Sequence, residues 1–168
     1  MKRGHELCLS IYLNEYNGNL KEFLDGTCDK LNSAWDEKQN EIENVFKSFE
    51  NSIENAYEIM ENNSPFSRYT NGNPNGKFNR SIFELFTFYF SIEPIYEAIK
   101  KDKDGFVSKF IQMNDDLDFI NAVSGSTKDI SNIITRFNAF YNIFIGYHKN
   151  IFCIKQREKP LNGGTSLF

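Results

Sequence analysis

Apolar residues recur along this chain at the spacing of a helix surface, and the clearest case lies in its first half. Trp35, Ile42, Phe49 and Ala56 stand seven residues apart, and Phe46, Ile53 and Met60 each follow one of the last three by four. Two interleaved stripes at that period predict a long amphipathic helix buried along Phe49 and its neighbours, so that Phe49→Asp is expected to unfold the protein. Ser33 with Asp36 three later reads as its capping box, and Asn62-Asn63-Ser64-Pro65 as its stop. With roughly four heptads and Gln39 at a seam position, the stripe fits a helix packed within a bundle better than a dimeric coiled coil. A second long helix is predicted from Ile130, Ile133, Ile134, Phe137, Tyr141, Phe144, Ile145 and His148, with Ser126 or Thr127 as its cap. Between them, residues 80–90 are apolar nearly all round, the mark of a central helix.

Shorter segments fill in the rest. Glu6 to Tyr16 reads as a mostly buried helix ended by Asn17-Gly18, after which Asn19 caps a helix carrying Leu20, Phe23, Leu24, Cys28 and Leu31, with Gly26 inside it. Ile92 to Lys101 forms a short helix with Pro94 in its first turn and Lys103-Asp104-Gly105 as its end. Phe106 to Met113 and Asp116 to Val123 are two more, and Ser124-Gly125-Ser126-Thr127 is a turn. Residues 63–79, with Pro65, Gly72, Pro74 and Gly76, read as one long loop that divides the chain into halves. Ile151 to Ile154 suits either a helical extension or a single strand, and residues 160–168 read as a flexible tail. The expected architecture is all-α: a single-domain bundle of seven or eight helices over residues 1–159, with one long loop near the middle.

Composition adds the kind of core and the compartment. A chain of 168 residues can bury roughly 70% of its unfolded surface without disulfide or metal. Its 17 Phe and 8 Tyr supply most of the large apolar side chains, so the core is expected to be built on Phe and Ile. Cys8, Cys28 and Cys153 are widely spaced and form no C-x-x-C pair, which argues for a reducing, cytoplasmic setting. The apolar stretch from Leu7 is broken at Ser10 and does not resemble a signal peptide. No apolar run approaches the ~20 residues of a spanning helix, since Ile82 to Ile92 is interrupted by Glu84, Thr87 and Ser91, so no membrane partner is expected. Charge is uneven: residues 1–62 hold 6 basic against 13 acidic side chains, residues 63–168 hold 13 against 10. An acidic front and a basic back orient a protein toward charged partners.

Candidate chemistry is sparse. His5 and His148 lie near opposite ends with no H-E-x-x-H or H-x-H spacing, and no Ser or Cys stands in a nucleophile context such as G-x-S-x-G. The stretch Gly72-Asn73-Pro74-Asn75-Gly76-Lys77 lacks the spacing of a phosphate loop, and Asp115, Asp116 and Asp118 precede a helix, where the dipole favours acidic residues. No catalytic, cofactor-binding or metal-binding set is therefore expected. What remains is basic. Lys77 and Arg80 beside the loop, with Lys128 and Arg136 around the turn at residues 124–127, are candidate contacts for phosphate, DNA or a partner protein. A salt bridge to an acidic helix is the competing role for Arg136.

Three stretches carry a resemblance. They are Arg3-Gly4-His5-Glu6-Leu7-Cys8-Leu9 with Tyr16-Asn17-Gly18-Asn19-Leu20-Lys21-Glu22-Phe23-Leu24, then Lys77-Phe78-Asn79-Arg80-Ser81-Ile82-Phe83-Glu84, then Phe119-Ile120-Asn121-Ala122-Val123-Ser124-Gly125-Ser126-Thr127 with Asn132 and Arg136 behind it. In this order they resemble the C-terminal helical region of GmrSD-type modification-dependent restriction proteins, whose N-terminal half is a ParB/sulfiredoxin-like NTPase. The D-G-Q-R-type NTPase motif and the HNH nuclease histidine pattern of that family are both absent here. The resemblance therefore implies a non-catalytic helical scaffold of a phage-defence system, contacting an NTPase or nuclease partner protein or binding DNA weakly. A stand-alone helical regulator or inhibitor is the alternative.

Overall fold

Asn19 opens the first helix, its side chain accepting a hydrogen bond from the Glu22 amide, as an N-cap residue does. In the computed structural model, which describes residues 16–61 and 63–145, that helix runs much further than the apolar pattern suggests. Helix α1 spans Leu20–Met60, and it is bent rather than straight because Lys38 leaves the helical region at φ −125°, ψ 16°. A straight helix would separate Leu20 from Phe49 by about 43 Å at 1.5 Å per residue. Yet Phe49 packs edge-on against Phe83, at 6.0 Å between ring centroids, while Leu20 lines a pocket with Arg80, Ser81 and Glu84. The axis therefore turns back at Lys38, giving two arms. The sequence reading of two helices is matched by these arms, but the break lies at Lys38, and Ser33 sits inside the first arm rather than capping the second.

Ile42 is buried early in the second arm, and the arm's other buried positions gather at its end, at Ser52, Ala56, Ile59 and Met60. Phe49 is 41% exposed and Phe46 60% exposed, with Trp35, Val45 and Tyr57 also at the surface. The expectation that Phe49 sits in the core is thereby corrected: a charge at this position stays in water, and unfolding does not follow from desolvation.

Residues 63–79 are not a loop throughout. Strands β1 (Ser67–Thr70) and β2 (Asn73–Phe78) form an antiparallel hairpin, with Thr70 opposite Asn73 and Tyr69 opposite Pro74. Its two-residue turn is Asn71-Gly72, with φ of +51° and +75°, the left-handed pair that this dipeptide adopts at low steric cost. A register irregularity follows between Ser67 and Tyr69, and Gly76 takes φ +70° within the opposing stretch. Every residue of β2 is exposed, so no alternation of apolar and polar positions marks it as a strand. Buried Asn114 ties the hairpin down, accepting from the Tyr69 amide at 3.0 Å and donating to the Phe110 carbonyl at 2.9 Å.

The remaining helices are α2 (Arg80–Phe90), α3 (Glu93–Lys100), α4 (Lys103–Met113), α5 (Leu117–Ser124) and α6 (Ile130–Ile145). Among the described residues the protein thus has six helices and a two-stranded sheet, and is mostly helical rather than strictly all-α. Pro94 sits in the first turn of α3, where its missing amide costs nothing. Lys103-Asp104-Gly105 begins α4 instead of ending α3, because the Asp102 carboxylate accepts from the Gly105 amide at 3.1 Å and caps the new helix. Asp116 caps α5 in the same way, which accounts for one member of the acidic trio. The helix expected from Glu6 to Tyr16, apart from Tyr16 itself, the segment Ile151 to Ile154, the tail at 160–168, and His5, His148, Cys8 and Cys153 lie outside the described residues.

Helix α2 is central, buried on nearly every side as its all-round apolar sequence requires. Phe86 is its hub: its ring meets Phe66 from the hairpin entry, Phe90 one turn on, Phe106 and Phe110 of α4, and Phe140 of α6, mostly edge to face at 5.0–6.0 Å. Phe106 and Phe144 stack across the α4–α6 contact, and Tyr89 donates from its hydroxyl to the Phe137 carbonyl at 3.1 Å. Each such ring pair adds about 0.5–1.5 kcal/mol beyond area burial.

One polar cluster bridges the outside of this core. Tyr96 donates to Glu58 at 2.5 Å, and Lys100 and Lys103 approach the same carboxylate at 3.1 and 3.6 Å, tying α3 and α4 to α1. The Tyr96 hydrogen bond and the nearby ammonium of Lys100 hold the Glu58 carboxyl below its usual range, and burial together with Glu58 pushes the Tyr96 phenol up.

Two outcomes are expected. Phe86→Ala should lower stability by about 3–5 kcal/mol in urea unfolding, whereas Phe46→Ala should stay within about 0.5 kcal/mol of the parent. A lowered folded-state carboxyl gives stability that is present above about pH 4.3 and lost as pH falls through the folded value. The melting temperature of Glu58→Gln should therefore lie below the parent's at pH 7, and the difference should shrink on acidification toward pH 3.

Candidate functional site

The best-formed polar site gathers where α2, α6 and the residues before α1 meet. Asn79 fixes the start of α2 from three directions. Its side chain accepts from the Ile82 amide at 3.0 Å and donates to the Val123 carbonyl at 2.8 Å, while its own amide donates to Phe66. On the first turn so anchored, Arg80, Ser81 and Glu84 share one face, being one and four residues apart. The turn before α6 is shaped by Gly125, where a Cβ would lie 3.0 Å from the Asn121 carbonyl and 3.2 Å from the Asn132 amide. Asn132 donates to the Ser126 carbonyl at 3.1 Å and closes the turn. The residue that satisfies the first amides of α6 is Asp129, not Ser126 or Thr127: its carboxylate accepts from both the amide and the hydroxyl of Ser131, which hold it below the usual carboxylate range.

Between these elements lies a pocket of about 250 Å³, walled by Arg80, Ser81 and Glu84 on α2, Thr127, Lys128, Ile133 and Arg136 around α6, and Tyr16 with Leu20 at the head of α1. Tyr16 donates to the Lys128 carbonyl at 2.7 Å; burial and the nearby Asp129 carboxylate push its phenol up. The expected contact residues fall as follows. Arg80, Lys128 and Arg136 surround this one pocket, while Lys77 is exposed on β2 and does not line it. Arg136 is only 2% exposed: its Nε and Nη2 donate to the same Glu84 oxygen at 3.1 and 2.6 Å, and Nη2 also reaches the Thr127 carbonyl at 3.1 Å. A guanidinium held in this way meets a duplex backbone only if the pair with Glu84 opens. Ser81 and Glu84 went unnoticed in the sequence, although the three stretches behind the family resemblance supply Tyr16, Leu20, Arg80, Ser81, Glu84, Thr127 and Arg136, and all of these meet here.

Comparison with known proteins is silent. The sequence matches no family model, no curated protein and no solved structure.

A second concavity runs along the second arm of α1. Val45, Phe49, Phe88 and Phe137 give it an apolar floor, with Glu41, Asn44, Ser48, Thr87 and Ser91 along its edges, over about 760 Å³. Helix α1 as a whole carries four lysines against ten acidic residues, a net charge of −6. Among the described residues, no group of three or more His, Cys, Asp or Glu is placed to hold a metal ion, and no helix is long and apolar enough to cross a membrane. Cys28 is a free, exposed thiol.

The buried pair sets an expectation. Glu84→Ala leaves the Arg136 guanidinium desolvated without its counter-charge and should cost about 3 kcal/mol in chemical unfolding. Arg80→Ala, at the exposed rim, should change stability by less than about 0.5 kcal/mol.

Proposed function

We propose that this chain is a non-catalytic helical interaction module that docks a protein partner along the second arm of α1, in the role the helical half plays in a restriction-type defence system. The observation that carries the reading is the pairing of exposed Val45, Phe46 and Phe49 with an apolar groove on a helix of net charge −6. Large exposed apolar groups of this kind, rimmed by polar residues, are what partner surfaces use, and aromatic anchors supply most of the binding energy at such surfaces. The acidic helix repels a nucleic-acid backbone and attracts a basic surface, so the occupant is a basic amphipathic segment of a partner protein, laid helix-in-groove. Its apolar side would fill the space between Phe49 and Phe88, and its cations would face Glu41 and the acidic residues of α1. A DNA contact, if it accompanies this, falls to Lys77, Arg80 and Lys128 on the opposite charge half, because Arg136 is engaged with Glu84. The family resemblance names the kind of partner, an NTPase-bearing protein.

Co-expression with any NTPase-bearing protein encoded beside its gene should yield a complex that survives gel filtration. Phe46→Asp combined with Val45→Asp should weaken that complex on the order of a hundredfold while the free protein melts as the parent does. Added salt should loosen it as the charge attraction is screened. Absence of any complex with the parent, or a complex indifferent to both substitutions, refutes the docking surface. Nucleotide hydrolysis or DNA scission that follows the protein through further purification refutes the non-catalytic reading.

A further inference from the structure

The pocket at the head of α2 contains two buried polar groups that the protein itself leaves without partners. Arg136 spends Nε and Nη2 on Glu84 and Thr127, but Nη1 has no hydrogen-bond acceptor. Ser81, 1% exposed, likewise has no partner for its hydroxyl. An unpaired buried donor costs about 1–3 kcal/mol, and almost all such groups in folded proteins are paired, so two of them lining one small space point to something that completes them. The space has the electrostatics of an anion site. Arg80, Lys128 and Arg136 surround it against Glu84, with Asp129 close to Tyr16 beside it. The first turn of α2, an eleven-residue helix, adds the positive end of its dipole and its leading amides from the same side.

We propose that this pocket binds the terminal phosphate of a small phosphorylated molecule, with Arg136 Nη1 and Ser81 Oγ donating to its oxygens and Arg80 and Lys128 closing over it from the rim. Size and depth select that class. At about 250 Å³ the pocket lies below the roughly 300–1,000 Å³ of drug-sized sites, so it suits a compact head group. The two unpaired donors belong to side chains no more than 2% exposed, so only a compact terminal group that displaces the rim would reach them, whereas the diesters of a duplex stay on its outer surface. A dianionic phosphate has oxygens enough for the buried donors and the two rim cations together, while a carboxylate has two. Arginine provides the planar donor set that phosphate recognition uses. Leu20 forms part of the wall, so the head of α1's first arm lies over the ligand.

The test uses the full chain with inorganic phosphate as the probe, followed by phosphorus NMR line broadening and by thermal shift, with glycerol phosphate and acetate in parallel. Saturable binding of phosphate and of glycerol phosphate is expected, with acetate far weaker. Ser81→Ala removes a buried hydroxyl that has no partner, so the apo protein should melt at or above the parent's temperature, while phosphate affinity falls about fivefold, which corresponds to about 1 kcal/mol. Arg80→Ala with Lys128→Ala should weaken binding further and flatten its salt dependence. No saturable binding to the parent overturns the site, and so does binding that both variants leave unchanged. Acetate binding as tightly as phosphate overturns the assigned ligand class. The docking reading is tested through Val45 and Phe46, on the second arm of α1, and stands or falls separately.

Discussion

The fold depends on one aromatic contact set, the rings that close around Phe86. Phe66, Phe90, Phe106, Phe110 and Phe140 come from the hairpin entry, α2, α4 and α6, so one side chain is where distant parts of the chain become mutually dependent. Phenylalanine suits this task because it has two torsions to freeze and no polar atom to satisfy, and rings meeting edge to face fill space without demanding directional partners. The polar connections lie outside that cluster and act on geometry instead. Asn79 and Asn114 each join two segments through one amide, fixing where α2 begins and where the hairpin lies.

How much of this could be read from the residues depends on whether the deciding interaction is local. The helices from Arg80 onward were legible because burial imposes the 3.6-residue period directly, and Phe86, Phe137 and Phe144 fall on the predicted inner faces, while Phe140, equally buried, was not counted in the stripe. The hairpin was not legible from periodicity, since β2 is exposed throughout; its signal is the Asn71-Gly72 turn, a cue of two residues within a stretch crowded with Asn and Gly. Helix α1 misled in the opposite sense. Its heptad stripe is real, but only Ile42, Ala56 and Met60 of it are buried while Trp35, Phe46 and Phe49 stay at the surface, and a pattern cannot say how much partner surface exists. The Ser33 boundary failed because Ser and Asp three apart are common in a polar helix, and nothing in the residues marks Lys38 as the place where the axis turns.

The site divides in the same way. Arg80, Lys128 and Arg136 were singled out by charge and by their nearness to turns, and they do come together. Ser81 was invisible, because a serine at the second position of a helix is ordinary, and only its burial without a partner sets it apart. Glu84 is a helix carboxylate like many others until the chain brings it, across fifty-two residues, to Arg136. Long-range pairing of this kind leaves no local trace.

The bend at Lys38 has a consequence for the chain's motions. Backbone hydrogen bonds that run from one turn to the next normally make a helix open and close as a unit, and an interruption divides it into pieces that open on their own. The second arm is anchored at Ala56, Ile59 and Met60, so the amides of its last turns are tied to the aromatic core. Among the described residues the first arm is held at its head by Tyr16 and Phe23. Leu20 is a wall of the phosphate-sized pocket, so release of that arm would uncover the pocket. On the proposal that a phosphate occupies this cleft, its binding would also steady the first arm, an acidic rod about 27 Å long.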